Sequence, residues 1–203
     1  DRMKKFFKFI GILFLVLIVA LVGGGYYFIK NFDLNKYKSY AEDLVYKETG
    51  RKLALNGEAD LGISLVPTLV LNDVSLSNAS WASQPQMLKV KQLEISFAVL
   101  PLLHKEIMIN NINLVAPEIY LEQNAAGQAN WELAGFAAKN VSIENGLVRF
   151  SDQKAKQTVN LQINSFNFSA DGMDAPITAD FDLLYDNQPI KGNTVLGSIN
   201  QFL

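Results

Sequence analysis

The chain has 203 residues, a formal net charge of −2, one histidine and no cysteine. The absence of cysteine excludes a disulfide framework, and a single histidine leaves few ligands for a zinc or iron site, so we expect no cofactor. The charge is unevenly distributed, since residues 1–30 are net +4 and residues 31–203 are net −6. An acidic domain of this kind is a poor nucleic-acid binder, because neutralising phosphates requires clustered Lys and Arg.

An uncharged, mostly apolar stretch covers residues 9–29 and follows a basic tail at residues 1–8. At 1.5 Å per residue, this stretch is long enough to cross the hydrocarbon core of about 30 Å, which predicts a transmembrane helix. The basic residues in front of the span place the N-terminus in the cytoplasm and the bulk of the chain in the periplasm. A cleaved signal peptide is the competing interpretation, but the glycine-rich exit at residues 22–26 has no A-x-A site.

Residues 33–50 predict a short amphipathic neck helix. Asp33 is a suitable N-cap residue, and Gly50 suits the C′ position, where a left-handed backbone is common. An apolar stripe that includes Tyr37 and Ala41 follows helical spacing and is expected to pack on the following sheet. Attachment of this helix to the membrane surface is disfavoured because its charges nearly balance.

Three copies of one pattern, apolar-x-apolar-x-x-apolar-x-apolar, follow at a constant offset of 19 residues. The copies are Leu69, Leu71, Val74 and Leu76; Leu88, Val90, Leu93 and Ile95; and Ile107, Ile109, Ile112 and Leu114. Residues 141–148 and 161–168 repeat the pattern. Alternation at period two predicts strands, and the extra residue would turn each second half to the other face unless a β-bulge restores the face.

The extra residue falls in a polar doublet in every copy. These doublets are Asn72-Asp73, Lys91-Gln92, Asn110-Asn111, Glu144-Asn145 and Asn164-Ser165. Hairpin turns at the doublets would leave strands of about three residues, which is short. We therefore predict a mainly β fold of long, bulged antiparallel strands with one apolar face. Periodicity alone favours covering that face in a closed β-sandwich over leaving it as an open, curved groove.

Several short motifs carry a family resemblance through their order and spacing. They include Thr49-Gly50-Arg51-Lys52-Leu53, Leu65-Val66-Pro67, the stretch from Leu71 to Asn78, Trp81, and Gly127-Gln128-Ala129-Asn130-Trp131. Over about residues 5–135 the sequence resembles the N-terminal region of AsmA-family proteins, which are relatives of TamB and of the eukaryotic bridge-like lipid-transfer proteins. The resemblance implies a signal-anchored inner-membrane protein with a periplasmic β-groove that conducts phospholipid toward the outer membrane.

This resemblance places the groove ahead of the closed sandwich. It makes the twelve apolar residues of the three copies the candidate lipid-binding set, with phospholipid and the inner membrane as partners. The first groove block then covers residues 51–135 and the second covers residues 139–203. Because family members are usually much longer, we expect the second block to be truncated. Because they often have a longer connection after the Asn-Trp motif, we also expect a linker to be missing between Trp131 and Val141.

The sequence offers no catalytic constellation, and an enzyme is not expected. His104 stands beside Lys105 and Glu106, and Ser151-Asp152 has no histidine partner for a triad. The leading hypothesis is an AsmA-like envelope protein that binds acyl chains and supports phospholipid transfer or outer-membrane homeostasis. The alternative is an accessory structural subunit of an inner-membrane complex, with a membrane-protein partner bound through the anchor helix.

Overall fold

The computed structural model describes residues 23–24, 27, 31, 33–62, 66–98, 100, 109–131, 139–172 and 174–198. The chain divides into two compact units, residues 1–36 and 37–203. The predicted tail and anchor, residues 1–29, lie almost entirely outside the described residues. Within the described part of the chain, no helix is long and apolar enough to span a membrane.

The predicted neck helix is a 3₁₀ turn followed by an α-helix. The turn covers Leu34–Tyr37, and the α-helix α1 covers Lys38–Thr49. Asp33 caps the 3₁₀ turn, because its Oδ1 accepts a hydrogen bond from the Asn35 backbone N–H at 3.0 Å. The α-helix therefore begins five residues after the predicted cap. Gly50 ends it at φ 68°, where a left-handed backbone favours glycine.

Nine strands follow the helix. They are β1 (Leu53–Leu55), β2 (Ala59–Gly62), β3 (Thr68–Ser77), β4 (Gln86–Phe97), β5 (Ile109–Gln123), β6 (Asn140–Asp152), β7 (Gln157–Ala170), β8 (Pro176–Tyr185) and β9 (Gln188–Ser198). All nine belong to one open, curved sheet in the order β1-β3-β4-β5-β6-β7-β8-β9, with β2 also paired to β3. The described residues therefore do not form a closed β-sandwich, which would require two sheets packed face to face.

The sheet is mixed, so the prediction of a wholly antiparallel sheet is wrong at one pair of strands. β5 and β6 run parallel, with Asn111 opposite Asn140 and Gln123 opposite Asp152. A parallel pair requires a crossover of about a dozen residues or more. The connection between these strands, residues 124–139, is long enough for this. All the other strand pairs are antiparallel.

Each strand continues through its polar doublet, so the doublets are not hairpin turns. At each doublet the ladder omits a residue. One of these residues, Asn110, is an extra residue of β5 opposite the Ser96–Phe97 step of β4. β5 contains one further copy of the pattern at residues 112–119, which periodicity does not reveal because Pro117 fills one of its apolar positions. In this copy the residue omitted from the ladder is Ala116, a position that the 19-residue offset does not predict.

The best-buried apolar cluster lies where α1 meets the first strands. Leu55, Val74 and Val90 form its centre, and Ala41 of α1 packs against it. The Glu42 Oε1 atom accepts a hydrogen bond from the Leu55 N–H at 2.9 Å, which fixes the helix to β1. Ala41 thus takes its predicted packing position. Tyr37 does not share it, since 53% of this residue is exposed.

Candidate functional site

The register of the strands assembles the apolar residues into rows that cross the sheet. Paired residues of neighbouring strands point to the same face, so each row lies on one side of the sheet. The Leu71 row contains Ala59, Leu71, Leu93, Leu114, Ile143, Phe166 and Phe181. The Val74 row contains Leu55, Val74, Val90, Pro117, Gly146, Ile163, Leu183 and Ile190.

Two further rows flank these and complete what we call the apolar face. The Leu69 row contains Leu61, Leu69, Ile95, Ile112, Val141, Phe168 and Ala179. The Leu76 row contains Leu53, Leu76, Leu88, Ile119, Val148, Leu161 and Tyr185. No charged residue occurs in the four rows, which makes this face compatible with hydrocarbon.

Eleven of the twelve predicted lipid-binding residues lie on or beside this face, and Ile107 lies outside the described residues. Ten of the eleven belong to the four rows, and Ile109 pairs with Phe97 beyond the Leu69 row. Val74 and Val90 are each only 2% exposed and contact protein in the cluster under α1. Most of the other predicted residues are half-buried, so the face is incompletely covered along its length.

The opposite face of the sheet is polar and carries side-chain hydrogen bonds between strands. Asn113 donates from Nδ2 to Glu94 Oε2 at 3.3 Å, and Ser142 Oγ lies 3.0 Å from Asn113 Oδ1. Ser169 Oγ donates to Asn140 Oδ1 at 2.6 Å. These polar contacts join neighbouring strands on the face opposite the apolar rows. The sheet therefore has one polar, hydrated face and one apolar face.

One end of the apolar face is bounded by an aromatic pair. Phe150 pairs with Leu121 on β5 and with Val159 on β7, which places it beyond the Leu76 row on the same face. The ring of Trp131 lies 5.9 Å from that of Phe150 at an interplanar angle of 54°. Such a tilted contact is favourable for aromatic rings. Trp131 is therefore the side chain that packs at this end of the face.

Asn130 organises the same end through buried hydrogen bonds. It is fully buried, and its Oδ1 accepts from the Glu122 N–H at 2.9 Å. Its Nδ2 donates to Tyr120 O at 2.8 Å and to Asn78 Oδ1 at 2.9 Å. The amide thus joins β5, the end of β3 and the segment before Trp131. The motif residues quoted for the family resemblance, Asn78 and Asn130, have a structural role here.

Glu122 extends this network to the turn between β3 and β4. This residue is 2% exposed, and its carboxylate accepts hydrogen bonds from the backbone N–H groups of Ser83 at 2.9 Å and Gln84 at 3.2 Å. Arg51 Nη2 donates to Asn130 O at 3.1 Å, and burial lowers the pKa of the Arg51 guanidinium. Within the described residues, Arg51 Nη1 has no hydrogen-bond partner.

A shallow cavity of about 230 Å³ lies beside Glu122 and is lined mainly from the polar face. Tyr120 contributes to it, and the hydrogen bond from its hydroxyl to Glu118 at 2.9 Å raises the pKa of the phenol. This cavity is separate from the apolar rows. Within the described residues, no group of three or more His, Asp or Glu side chains could hold a metal ion.

Comparison with known families identifies one family for this chain. A family model described as the AsmA family matches residues 3–180. The chain belongs to the AsmA family. The match runs from the basic tail into β8, and so covers the first predicted groove block of this AsmA-family chain and the second block as far as residue 180. No curated protein matches the chain.

Proposed function

We propose that this AsmA-family protein shelters lipid acyl chains on its apolar face and supports phospholipid transfer within a bacterial envelope. The observation that carries the proposal is the set of four uncharged apolar rows, which continue across the sheet although α1 covers only the end near β1. Large exposed apolar surfaces usually mark binding sites, because soluble proteins rarely leave such surfaces in contact with water. Family membership is consistent with this role.

The mechanism is passive partition of hydrocarbon between two apolar environments. Moving a chain from water to the apolar face contributes about 0.8 kcal/mol per buried CH₂. Moving the same chain from a bilayer changes its surroundings little, because both environments are apolar. Phospholipid can then leave and rejoin a membrane without a covalent step, so the protein acts as a carrier surface and not as an enzyme.

The proposed location is the inner membrane, with a cytoplasmic N-terminus and a periplasmic sheet. The support comes from the sequence, where the basic tail precedes the apolar stretch at residues 9–29. In this arrangement the anchor keeps the sheet beside the membrane that supplies the lipid. The partners are phospholipid and the inner membrane itself.

Site-specific photo-crosslinking in cells tests the proposal. A photoreactive amino acid replaces Leu71, Ile95 or Ile109 on the apolar face, and matched variants carry it at the neighbouring positions Val70 and Ser96. We expect phospholipid adducts, identified by mass spectrometry, from the first three positions and not from the two controls. Adducts to protein alone at the apolar positions would overturn the proposal and favour the accessory subunit of a membrane complex.

A further inference from the structure

A line of interrupted pairing crosses five neighbouring strands of the sheet. We call this line the crease, and its members are Asp73 of β3, Lys91 of β4, Ala116 of β5, Asn145 of β6 and Asn164 of β7. From one strand to the next these residues stand opposite each other, and each is omitted from the ladders that its strand forms. The interruptions are therefore one aligned feature and not separate defects.

The crease explains how every strand keeps its apolar residues on one face. One extra residue in a single strand would shift its register and turn the rest of the strand over. Because β3 to β7 all carry the extra residue at the same line, the register is unchanged on both sides of it. β8 lacks an equivalent residue, and the register between β7 and β8 shifts at Asn164 accordingly.

Three crease residues have backbone conformations that most residues avoid. The φ angles are 49° at Asp73, 51° at Ala116 and 53° at Asn145. Asp and Asn tolerate a positive φ better than other residues with a side chain, whereas alanine has no such advantage. A left-handed residue turns the direction of an extended strand, so three of them on one line bend the sheet along that line.

Close backbone packing holds the crease at the first edge of the sheet. The chain between β1 and β2 lies against it, with the Gly57 N–H donating to Asn72 O at 3.0 Å. A Cβ atom at Gly57 would lie 2.5 Å from that same oxygen, so only glycine fits. The Lys38 ammonium of α1 donates to Gly57 O and ties the helix to this point.

A second close approach occurs further along the crease. A Cβ atom at Gly146 would lie 2.8 Å from Ile143 Cγ2 and 3.0 Å from Pro117 Cγ. The missing side chain lets β5 and β6 approach where both strands change direction. The absence of a side chain at Gly146 is therefore required by the bend and does not interrupt the apolar pattern.

Burial shows that the bend is concave toward the apolar face. The Val74 row, immediately beside the crease, is buried from Leu55 to Ile163, whereas most members of the Leu69 and Leu76 rows are half-buried. Pro117 in this row is below 2% exposed and Ile163 is 7% exposed. α1 contacts β1, so its packing accounts for burial at the β1 end of the row and not at Ile163.

We propose that the crease sets the cross-section of the lipid-binding surface, with Asp73, Ala116 and Asn145 as positioning residues. This inference rests on the proposed function. The Val74 row is the buried floor, and the rows on either side of it rise as two walls. Beyond α1, an acyl chain held between the walls contacts both of them, which a flat sheet would not allow. Curvature, and not only apolar composition, then makes the face retain lipid.

The test compares two double variants at the same crease positions. Ala116→Val with Asn145→Val disfavours positive φ at both sites, whereas Ala116→Gly with Asn145→Gly permits it. Each variant is made in the full chain and carries the photoreactive residue at Leu71. We expect the valine variant to melt several degrees lower and to capture several-fold less phospholipid, and the glycine variant to match the unsubstituted chain.

A distance measurement reports the bend without reference to lipid. The chain has no cysteine, so cysteines introduced at Asn160 and Asn167 on β7 accept spin labels selectively. Both positions are exposed and flank Asn164, and seven residues of straight strand would span about 23 Å. We expect pulsed electron paramagnetic resonance to give a longer distance in the valine variant than in the glycine variant.

The outcomes separate this inference from the proposed function. If the unsubstituted chain captures no phospholipid, the proposed function fails, and the spin-label distance still decides whether the crease bends the sheet. If the unsubstituted chain captures lipid and a folded valine variant matches it in capture and in distance, the crease inference is wrong. Should the double valine variant fail to fold, Asn145→Ala against Asn145→Gly makes the same comparison with less strain.

Discussion

Asn130 shows how one residue can fix the end of a sheet. Its side chain makes hydrogen bonds to β5 and to Asn78, and its backbone carbonyl accepts from Arg51. These partners come from three separate parts of the sequence. Sequence motifs pointed to Asn78 and Asn130 by family resemblance, but local pattern could not reveal that the two amides meet, because 52 residues separate them.

Replacing Asn130 with alanine should destabilise the sheet strongly. The substitution leaves the Glu122 N–H, the Tyr120 carbonyl and Asn78 Oδ1 without their buried partner, and losses of this kind total about 2–4 kcal/mol. Urea unfolding followed by circular dichroism measures the change. Asn160→Ala is the matched control, because Asn160 is an exposed strand residue and its loss should cost less than about 0.5 kcal/mol. Equal losses in both variants would contradict this role for Asn130.

At the scale of the element, β8 and β9 differ from the strands before them. β9 is exposed over most of its length and, among the strands that the structure describes, pairs with β8 alone. Lys191 on β9 lies 2.8 Å from Asp182 on β8, and Asn164 Nδ2 donates to the same carboxylate at 3.0 Å. Polar contacts therefore join the last strands on the hydrated face, where the apolar rows become more exposed.

The Asp182 contacts should make stability depend on acid pH. Lys191, and then the Asn164 amide, hold the pKa of the Asp182 carboxyl below its usual value. A carboxyl of this kind stabilises the fold above its unfolded pKa of about 3.9, and this contribution is lost as the pH falls through the lower folded pKa. We expect the melting temperature of Asp182→Asn to fall less than that of the unsubstituted chain between about pH 5 and about pH 3.

The control for this experiment removes a neighbouring carboxylate. Asp180 lies on the same strand and face, and Asp180→Asn makes the same change of charge outside the Lys191 ion pair. If Asp180→Asn weakens the acid dependence as much as Asp182→Asn does, net charge and not the ion pair is responsible. Melting curves in matched ionic strength distinguish the two results.

At the scale of the whole molecule, stability should vary across the sheet. β5 and β6 have a partner strand on both sides and make the most extensive ladders. β9 has one partner and few buried residues. Regions with few buried contacts open at lower free energy than the centre of a sheet.

Hydrogen exchange monitored by mass spectrometry should reveal this gradient. We expect peptides from β9 to exchange first and peptides from β5 and β6 to exchange last in the native protein. Added phospholipid vesicles should slow exchange in the strands of the apolar face if the proposed function is correct. Exchange of β9 as slow as that of β5 would contradict the gradient and would indicate that something pairs with the last strand.

The repeating pattern allowed much of this fold to be predicted. Period-two alternation located the strands, and the polar doublets located the interruptions in β3, β4, β6 and β7, because both are local properties of the chain. The interruption at Ala116 of β5 does not fall in a polar doublet. The parallel pairing of β5 and β6 was not predicted, since alternation looks the same in either strand direction. The 3₁₀ turn after Asp33 is likewise indistinguishable from the start of an α-helix in the sequence, because the same capping residues precede both.

Alternation along each strand is enough to predict that its apolar residues share one face, and the ordered motifs indicate the family. The alignment of the interruptions into a crease follows from the fold alone, because it depends on the register between strands that are distant in sequence. The fold also packs Ala41 of α1 against the cluster of Leu55, Val74 and Val90 and leaves the rows beyond without that cover. Strand patterns are local, but the depth and direction of a bend arise from many strands acting together.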